Sequence, residues 1–97
     1  MAAHINYEPL TPEILAAAGW KEATVKQSFC REFDRYVEHG DGLIKRISVT
    51  FRTRINIIAI DYSHYDTVLR VVKPLPITVG EFNTLLDIVK LNNFQIK

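Results

Sequence analysis

The fold of this chain is decided by the stretch Leu43–Val72, which reads LIKRISVTFRTRINIIAIDYSHYDTVLRVV. Its first third alternates between apolar and polar residues, a period of two that is typical of a half-buried β-strand. The apolar positions are Leu43, Ile47, Val49 and Phe51, and the polar positions are Arg46, Ser48, Thr50 and Arg52. The pattern predicts a strand with one face in the core and the other in water.

Two further strands are predicted downstream. After a polar turn at Arg52–Arg54, the run Ile55–Ile60 is apolar on both sides, as expected for a central strand covered on each face. A turn is predicted at Tyr62–Asp66, and the β-branched segment Thr67–Val72 forms the next strand. The prolines in Lys73–Pro76 then end the sheet, because proline has no amide to donate.

The segment Thr24–His39 is ambiguous, since its apolar residues match both the helical and the strand period. Lys26 and Glu32 are good helix formers, whereas the aromatic residues favour a strand. The glycine-rich connection His39–Gly42 is of hairpin type and precedes the strand at Leu43. We therefore favour a strand here, and the helix remains the alternative.

Helix signals lie near both ends of the chain. Thr11 is a capping residue for a short helix that Gly19 ends. The segment Thr78–Glu81 has the spacing of a reciprocal capping box, and Asn92–Asn93 is predicted to end the second helix. The apolar stripe that should dock on the sheet consists of Phe82, Leu85, Leu86 and Val89.

These elements predict an α+β fold: an antiparallel sheet of three to four strands, with a short N-terminal helix and an amphipathic C-terminal helix packed on it. A chain of 97 residues, 47% hydrophobic and 24% charged, suits a single compact domain spanning residues 1–97. The beginning of the sequence shows no secretory or organelle signal, so we expect a cytoplasmic protein.

Enzymatic chemistry is not predicted. The cluster Asp61–Asp66 contains the residue types of a serine hydrolase, but neighbours in one turn rarely converge on one point. His4, His39 and His64 lie in separate segments, and Cys30 is the single cysteine, so no metal or other cofactor is expected. The sequence therefore favours a non-enzymatic protein.

Charge is distributed unevenly along the chain, although the net charge is only +1. Residues 1–42 hold four Lys or Arg against seven Asp or Glu, whereas residues 43–73 hold six against two. Arg46, Arg52 and Arg54, with Tyr62 or Tyr65, would then be placed to grip phosphates or stack on bases. A nucleic-acid or nucleotide-binding domain is the alternative hypothesis, and a solvated sheet face is the simpler interpretation.

Burial provides a second lead. If the strands pair regularly, Ile58 and Ile60 continue the polar side of the preceding strand and are partly exposed. Together with Val68 and Val72 they would form an apolar patch for a partner or a second copy of the chain. In the opposite interpretation, the N-terminal helix or the segment Thr24–His39 covers them.

The chain loosely resembles small proteins of bacterial phages and mobile elements that have no assigned activity. The resemblance rests on Leu10–Leu15, Gly19–Trp20 and the terminal helix Thr78–Leu86. It implies a phage-type protein that binds or inhibits a host protein. Our leading hypothesis is a protein-interaction module, self-associating as a homodimer, whose predicted contact residues are Arg46, Arg52, Arg54, Ile58, Ile60, Tyr62 and Tyr65.

Overall fold

The computed structural model describes residues 6–24, 29–38 and 44–96. Its elements, in chain order, are α1 (Pro12–Ala17), β1 (Lys21–Glu22), β2 (Cys30–Glu38), β3 (Ile44–Arg52), β4 (Ile57–His64), β5 (Thr67–Pro74), α2 (Val79–Ile88) and a 3₁₀ turn (Asn92–Phe94). The five strands form one antiparallel sheet in the order β1-β2-β3-β4-β5. No described helix is long and apolar enough to cross a bilayer.

The α+β class and the antiparallel sheet are confirmed, but the described residues form a sheet of five strands rather than three to four. The extra strand is β1, whose two residues pair with Phe33 and Asp34. Cys30–Glu38 is a strand, which confirms the interpretation we favoured for that part of Thr24–His39. The predicted hairpin connection His39–Gly42 lies outside the described residues, although β2 and β3 pair as the strands of a hairpin.

Both predicted helix starts are confirmed. The hydroxyl of Thr11 accepts a hydrogen bond from the amide of Ile14 at 3.2 Å. At α2 the capping box is complete: the amide of Glu81 donates to Thr78 Oγ1 at 3.0 Å, and the amide of Thr78 donates to Glu81 Oε1 at 3.2 Å. Gly19 adopts a φ of +93° just after α1, a conformation that glycine takes without strain.

The C-terminal boundary of α2 was wrong by about one turn. The helix ends at Ile88, and Lys90, with a φ of +60°, takes the left-handed conformation expected of an asparagine further on. The chain end is then held by the buried side chain of Asn83. Its Nδ2 donates to the carbonyl of Ile96 at 2.8 Å, and its Oδ1 accepts from the amide of Ile96 at 2.8 Å.

The core lies on one face of the sheet, which we call the core face, and every described helix packs on that side. Phe33, Val49 and Ile60 are in register across three strands and are buried there. The helices contribute Leu15, Phe82 and Leu86 to the core. The C-terminal tail, which we define as residues 89–96, contributes Phe94. The members of the core face that are buried are Phe33, Ile47, Val49, Phe51, Ile58, Ile60 and Tyr62.

One turn also differs from the prediction. Strand β4 continues to His64, so Tyr62 and Ser63 are strand residues, and the turn consists of Tyr65 and Asp66. Tyr65 adopts a φ of +57°, which suits a tight two-residue hairpin. The hydrolase-like cluster is therefore divided between a strand and a turn, with alternate side chains on opposite faces of the sheet.

Candidate functional site

Three of the predicted contact residues are not available to a partner. Ile58, Ile60 and Tyr62 are buried in the core, with at most 8% of any of them exposed. Ile60 and Tyr62 lie beneath Leu85 and Val89 at the C-terminal half of α2. The expected patch on β4 is therefore wrong, and these residues are covered within the chain, in a core to which both α1 and α2 contribute.

The exposure of Ile58 and Ile60 was predicted wrongly because the turn between β3 and β4 is longer than expected. A turn at Arg52–Arg54 would have set Ile58 and Ile60 beside the polar residues of β3. The observed turn comprises the four residues 53–56, with Arg52 opposite Ile57. Because a one-residue change in register moves every side chain to the opposite face, Ile58 and Ile60 instead face Phe51 and Val49 in the core.

The predicted basic residues are not brought together. Arg46 lies on the face opposite the core, which we call the open face, and Arg54 lies in the turn between β3 and β4. Tyr65 follows the other end of β4, roughly 25 Å from Arg54 along an eight-residue strand. Arg52 is half-buried at the end of β3, next to the turn that holds Arg54. The guanidinium group of Arg54 stacks over the ring of Phe29 at 5.9 Å.

Carboxylates compensate the basic charge of the open face. Arg46 forms an ion pair with Asp34 at 3.1 Å and lies 4.0 Å from Glu32. Asp34 also accepts a hydrogen bond from the hydroxyl of Ser48, and Arg70 pairs with Asp61 at 3.2 Å. Of the predicted phosphate-binding arginines, Arg46 is therefore already paired with carboxylates.

Exposed aliphatic side chains are grouped on β5, at the edge of the sheet. No described residue outside β4 pairs with this strand. Val68 is 71% exposed, Val72 is 52% exposed and Leu69 is 46% exposed, so both faces of the strand carry uncovered aliphatic side chains. An uncovered edge of this kind is a template for pairing with another strand.

The backbone of β5 has a defined set of free hydrogen-bonding groups. The amide of Leu75 donates to the carbonyl of Asn56 at 2.9 Å, in line with the β4–β5 register. Because bonded and non-bonded pairs alternate in an antiparallel ladder, the odd-numbered residues of β5 bond to β4. The N–H and C=O groups of Val68, Arg70 and Val72 therefore point outwards, and Pro74 offers only its carbonyl.

An apolar pocket of about 140 Å³ lies beside this edge on the core face. Leu69 and Val71 of β5 form one wall, and Leu85, Ile88 and Val89 form the other. Ile88 is 67% exposed at the rim. The volume is below the range of roughly 300–1,000 Å³ typical of small-molecule sites, and it suits a single aliphatic side chain.

A second, larger cleft of about 480 Å³ lies at the opposite side of the helix layer, between α1 and the C-terminal tail. Glu8 and Arg35 are the charged residues that line it, and Arg35 has defined contacts. One guanidinium nitrogen donates to the carbonyl of Ala18 at 3.2 Å, and the group stacks over Phe94 at 4.4 Å. These contacts make Arg35 a structural link between β2, α1 and the tail, rather than a free ligand-binding group.

The sequence pointed to part of the β5 edge. Val68 and Val72 were expected in an exposed patch, but Leu69 and Ile88 were missed. A usable signal was the pair Pro74 and Pro76: a strand that runs into prolines is typically an edge strand, and its aliphatic residues then lack a cover.

Comparisons with known proteins leave the site to be interpreted from its own chemistry. No family model matches the chain, and no curated protein and no solved structure is significantly similar to it.

Proposed function

We propose that this protein is a non-enzymatic protein-interaction module whose binding site is the edge of β5. The partner supplies an extended segment that adds to the sheet as a further strand. The single observation that carries the proposal is the free edge of β5, with exposed Val68, Leu69 and Val72 and an apolar pocket beside it.

Strand addition uses both parts of this surface. Outward N–H and C=O groups of β5 bond the partner backbone, which provides affinity without regard to sequence. Side chains of the added strand alternate between the two faces, and those on the core face lie next to the pocket between Leu69 and Ile88. The expected partner segment is therefore extended, with aliphatic residues at alternate positions.

This proposal moves the contact surface away from the predicted one. Burial removes Ile58, Ile60 and Tyr62, and the ion pairs of Arg46 weaken the case for a basic face. The phage-type origin inferred from resemblance stays a prediction; under it, the partner strand belongs to a host protein. Nucleic-acid binding also stays a prediction, to be tested by the salt dependence of oligonucleotide binding.

Selection from a displayed library of random peptides tests strand addition directly. The matched variants are Arg70→Pro and Arg70→Ala, which both lose the side chain and its ion pair with Asp61. Only the proline variant loses the outward amide of residue 70, while the inward bonds to β4 are retained. We expect selected peptides to show alternating aliphatic residues, to bind Arg70→Ala, and to lose at least about tenfold in affinity for Arg70→Pro.

The folded state of each variant is checked by its amide NMR spectrum. Peptides that bind both variants equally well would place the site elsewhere. A failure to enrich any peptide of extended pattern would remove the proposed function itself.

A further inference from the structure

We infer that the strand accepted by β5 is β5 of a second copy of this chain, paired antiparallel about a twofold axis at Arg70. This inference rests on the proposed function and adds the identity of the partner and the register. The two five-stranded sheets then join into one continuous sheet, with the helices of both copies on the same side.

The twofold axis restricts the register. Opposite residues of an antiparallel pair point to the same face, so each residue of β5 must face a residue of equal parity in the other copy. The axis therefore lies between the two copies of one residue, which then faces itself. The candidates at the centre of β5 are Leu69, Arg70 and Val71. The three choices make different side-chain pairs.

The axis at Arg70 pairs the most aliphatic residues with one another, whereas with an axis at Leu69 or Val71 only the residue on the axis faces an aliphatic residue. The axis at Arg70 sets Val68 opposite Val72 on the open face and Leu69 opposite Val71 on the core face, so four aliphatic positions of each copy meet. Such cross-strand aliphatic pairs stabilise a ladder. This arrangement also brings the pockets at Ile88 of both copies beside the new seam.

The neighbouring registers lose these pairs. An axis at Leu69 sets Val68 opposite the charged Arg70. An axis at Val71 sets Leu69 opposite Lys73 and Val68 opposite Pro74, which has no amide to donate. With the axis at Arg70, the outward residues Val68, Arg70 and Val72 bond one another, and Pro74 stays outside the ladder.

Charge is compatible with this pairing. The two Arg70 side chains meet at the axis, but each is held by Asp61 of its own copy at 3.2 Å, so the row of side chains across the seam is neutral in sum. The net charge of +1 on the whole chain adds little long-range repulsion between copies. A second copy therefore supplies the apolar residues that face this edge, while Asp61 of each copy balances the charge of its own Arg70.

Sedimentation equilibrium and cysteine cross-linking together test the inference. At about 1 mM, where even millimolar affinity is visible, the chain should sediment at twice its 11.1 kDa, as should Arg70→Ala, whereas Arg70→Pro should remain a monomer. Three cysteine variants in a Cys30→Ser background, at positions 69, 70 and 71, then report the register under mild oxidation. A residue on the axis faces itself, so we expect Arg70→Cys to form the covalent dimer in the largest yield.

The alternative outcomes are distinct. A chain that stays monomeric overturns self-pairing, while the peptide selection above still decides whether the edge accepts other strands. A dimer that cross-links best at position 69 or 71 overturns the register. A dimer that Arg70→Pro leaves intact overturns the use of the β5 edge, and if selected peptides also ignore that variant, the proposed function fails with it.

Discussion

Strands β4 and β5 are neighbours of equal length and similar aliphatic composition, yet their surroundings are opposite. In β4, Ile58, Ala59 and Ile60 are buried on both faces of the sheet, whereas in β5 most residues are exposed. Each strand contains eight residues and is rich in β-branched side chains. Burial is therefore set by position in the sheet rather than by hydrophobicity of the strand.

The difference has two physical causes. Within the described residues, strand β4 has hydrogen-bonded neighbours on both sides, whereas β5 has one. Helix α2 and the tail cover the middle of the sheet: Asn83 joins the tail to α2, and Arg35 of β2 stacks on Phe94 of the tail. On the β5 side the helix layer ends at Ile88, and the pocket marks the missing cover.

The largest effect should come from truncating the buried strand. Ile58→Ala should lower the free energy of unfolding by about 2–5 kcal/mol, because it leaves a cavity in the core. The matched change on the neighbouring strand, Val72→Ala, should alter it by less than about 0.5 kcal/mol in the monomer. Urea denaturation followed by the fluorescence of the buried Trp20 measures both.

Dilute protein keeps self-association out of this measurement. Equal losses in the two variants would show that β5 is covered in the isolated chain, and the comparison between the strands would then fail.

A smaller effect is expected where the tail is fastened to α2. Asn83→Ala removes both partners of the Ile96 backbone and should cost about 1–3 kcal/mol, as for an unpaired buried polar group. The exposed Asn93 provides the control, and Asn93→Ala should be close to neutral. Hydrogen exchange at the amide of Ile96 gives the local measurement; unchanged protection in Asn83→Ala would contradict the anchoring role.

Sequence patterns identified the elements of this fold better than their relation to one another. The caps at Thr11 and Thr78 were predictable because capping depends on residues within one turn of the helix. The alternation in β3 showed its core face correctly, since a period of two is local as well. The strand at Cys30–Glu38 required the extra argument of a following hairpin, because its period alone was ambiguous.

The site was harder to predict, since it depends on the register and on the position of each strand in the sheet. One residue in the turn at 53–56 decided whether Ile58 is exposed or buried, and turn length is poorly defined by a polar run. The compensation of Arg46 by Asp34 joins residues 12 positions apart, which the uneven charge along the chain cannot reveal. Edge position was signalled only by the prolines after β5.

The smallest effect concerns pH and again distinguishes the buried strand. Burial raises the pKa of the Tyr62 hydroxyl on β4 above its ordinary value of 10.0. The neutral form is thus favoured in the folded state, so its contribution is complete below about pH 10 and is lost as the pH rises further, because the unfolded chain releases this proton first. In Tyr62→Phe the free energy of unfolding should fall less steeply between pH 9.5 and pH 11 than in the unmodified chain. Urea denaturation at each pH measures both proteins, and the difference between their free energies of unfolding at pH 8 is the reference. Parallel curves for the two proteins over that interval would show that the hydroxyl of Tyr62 is as well hydrated in the folded chain as in the unfolded one.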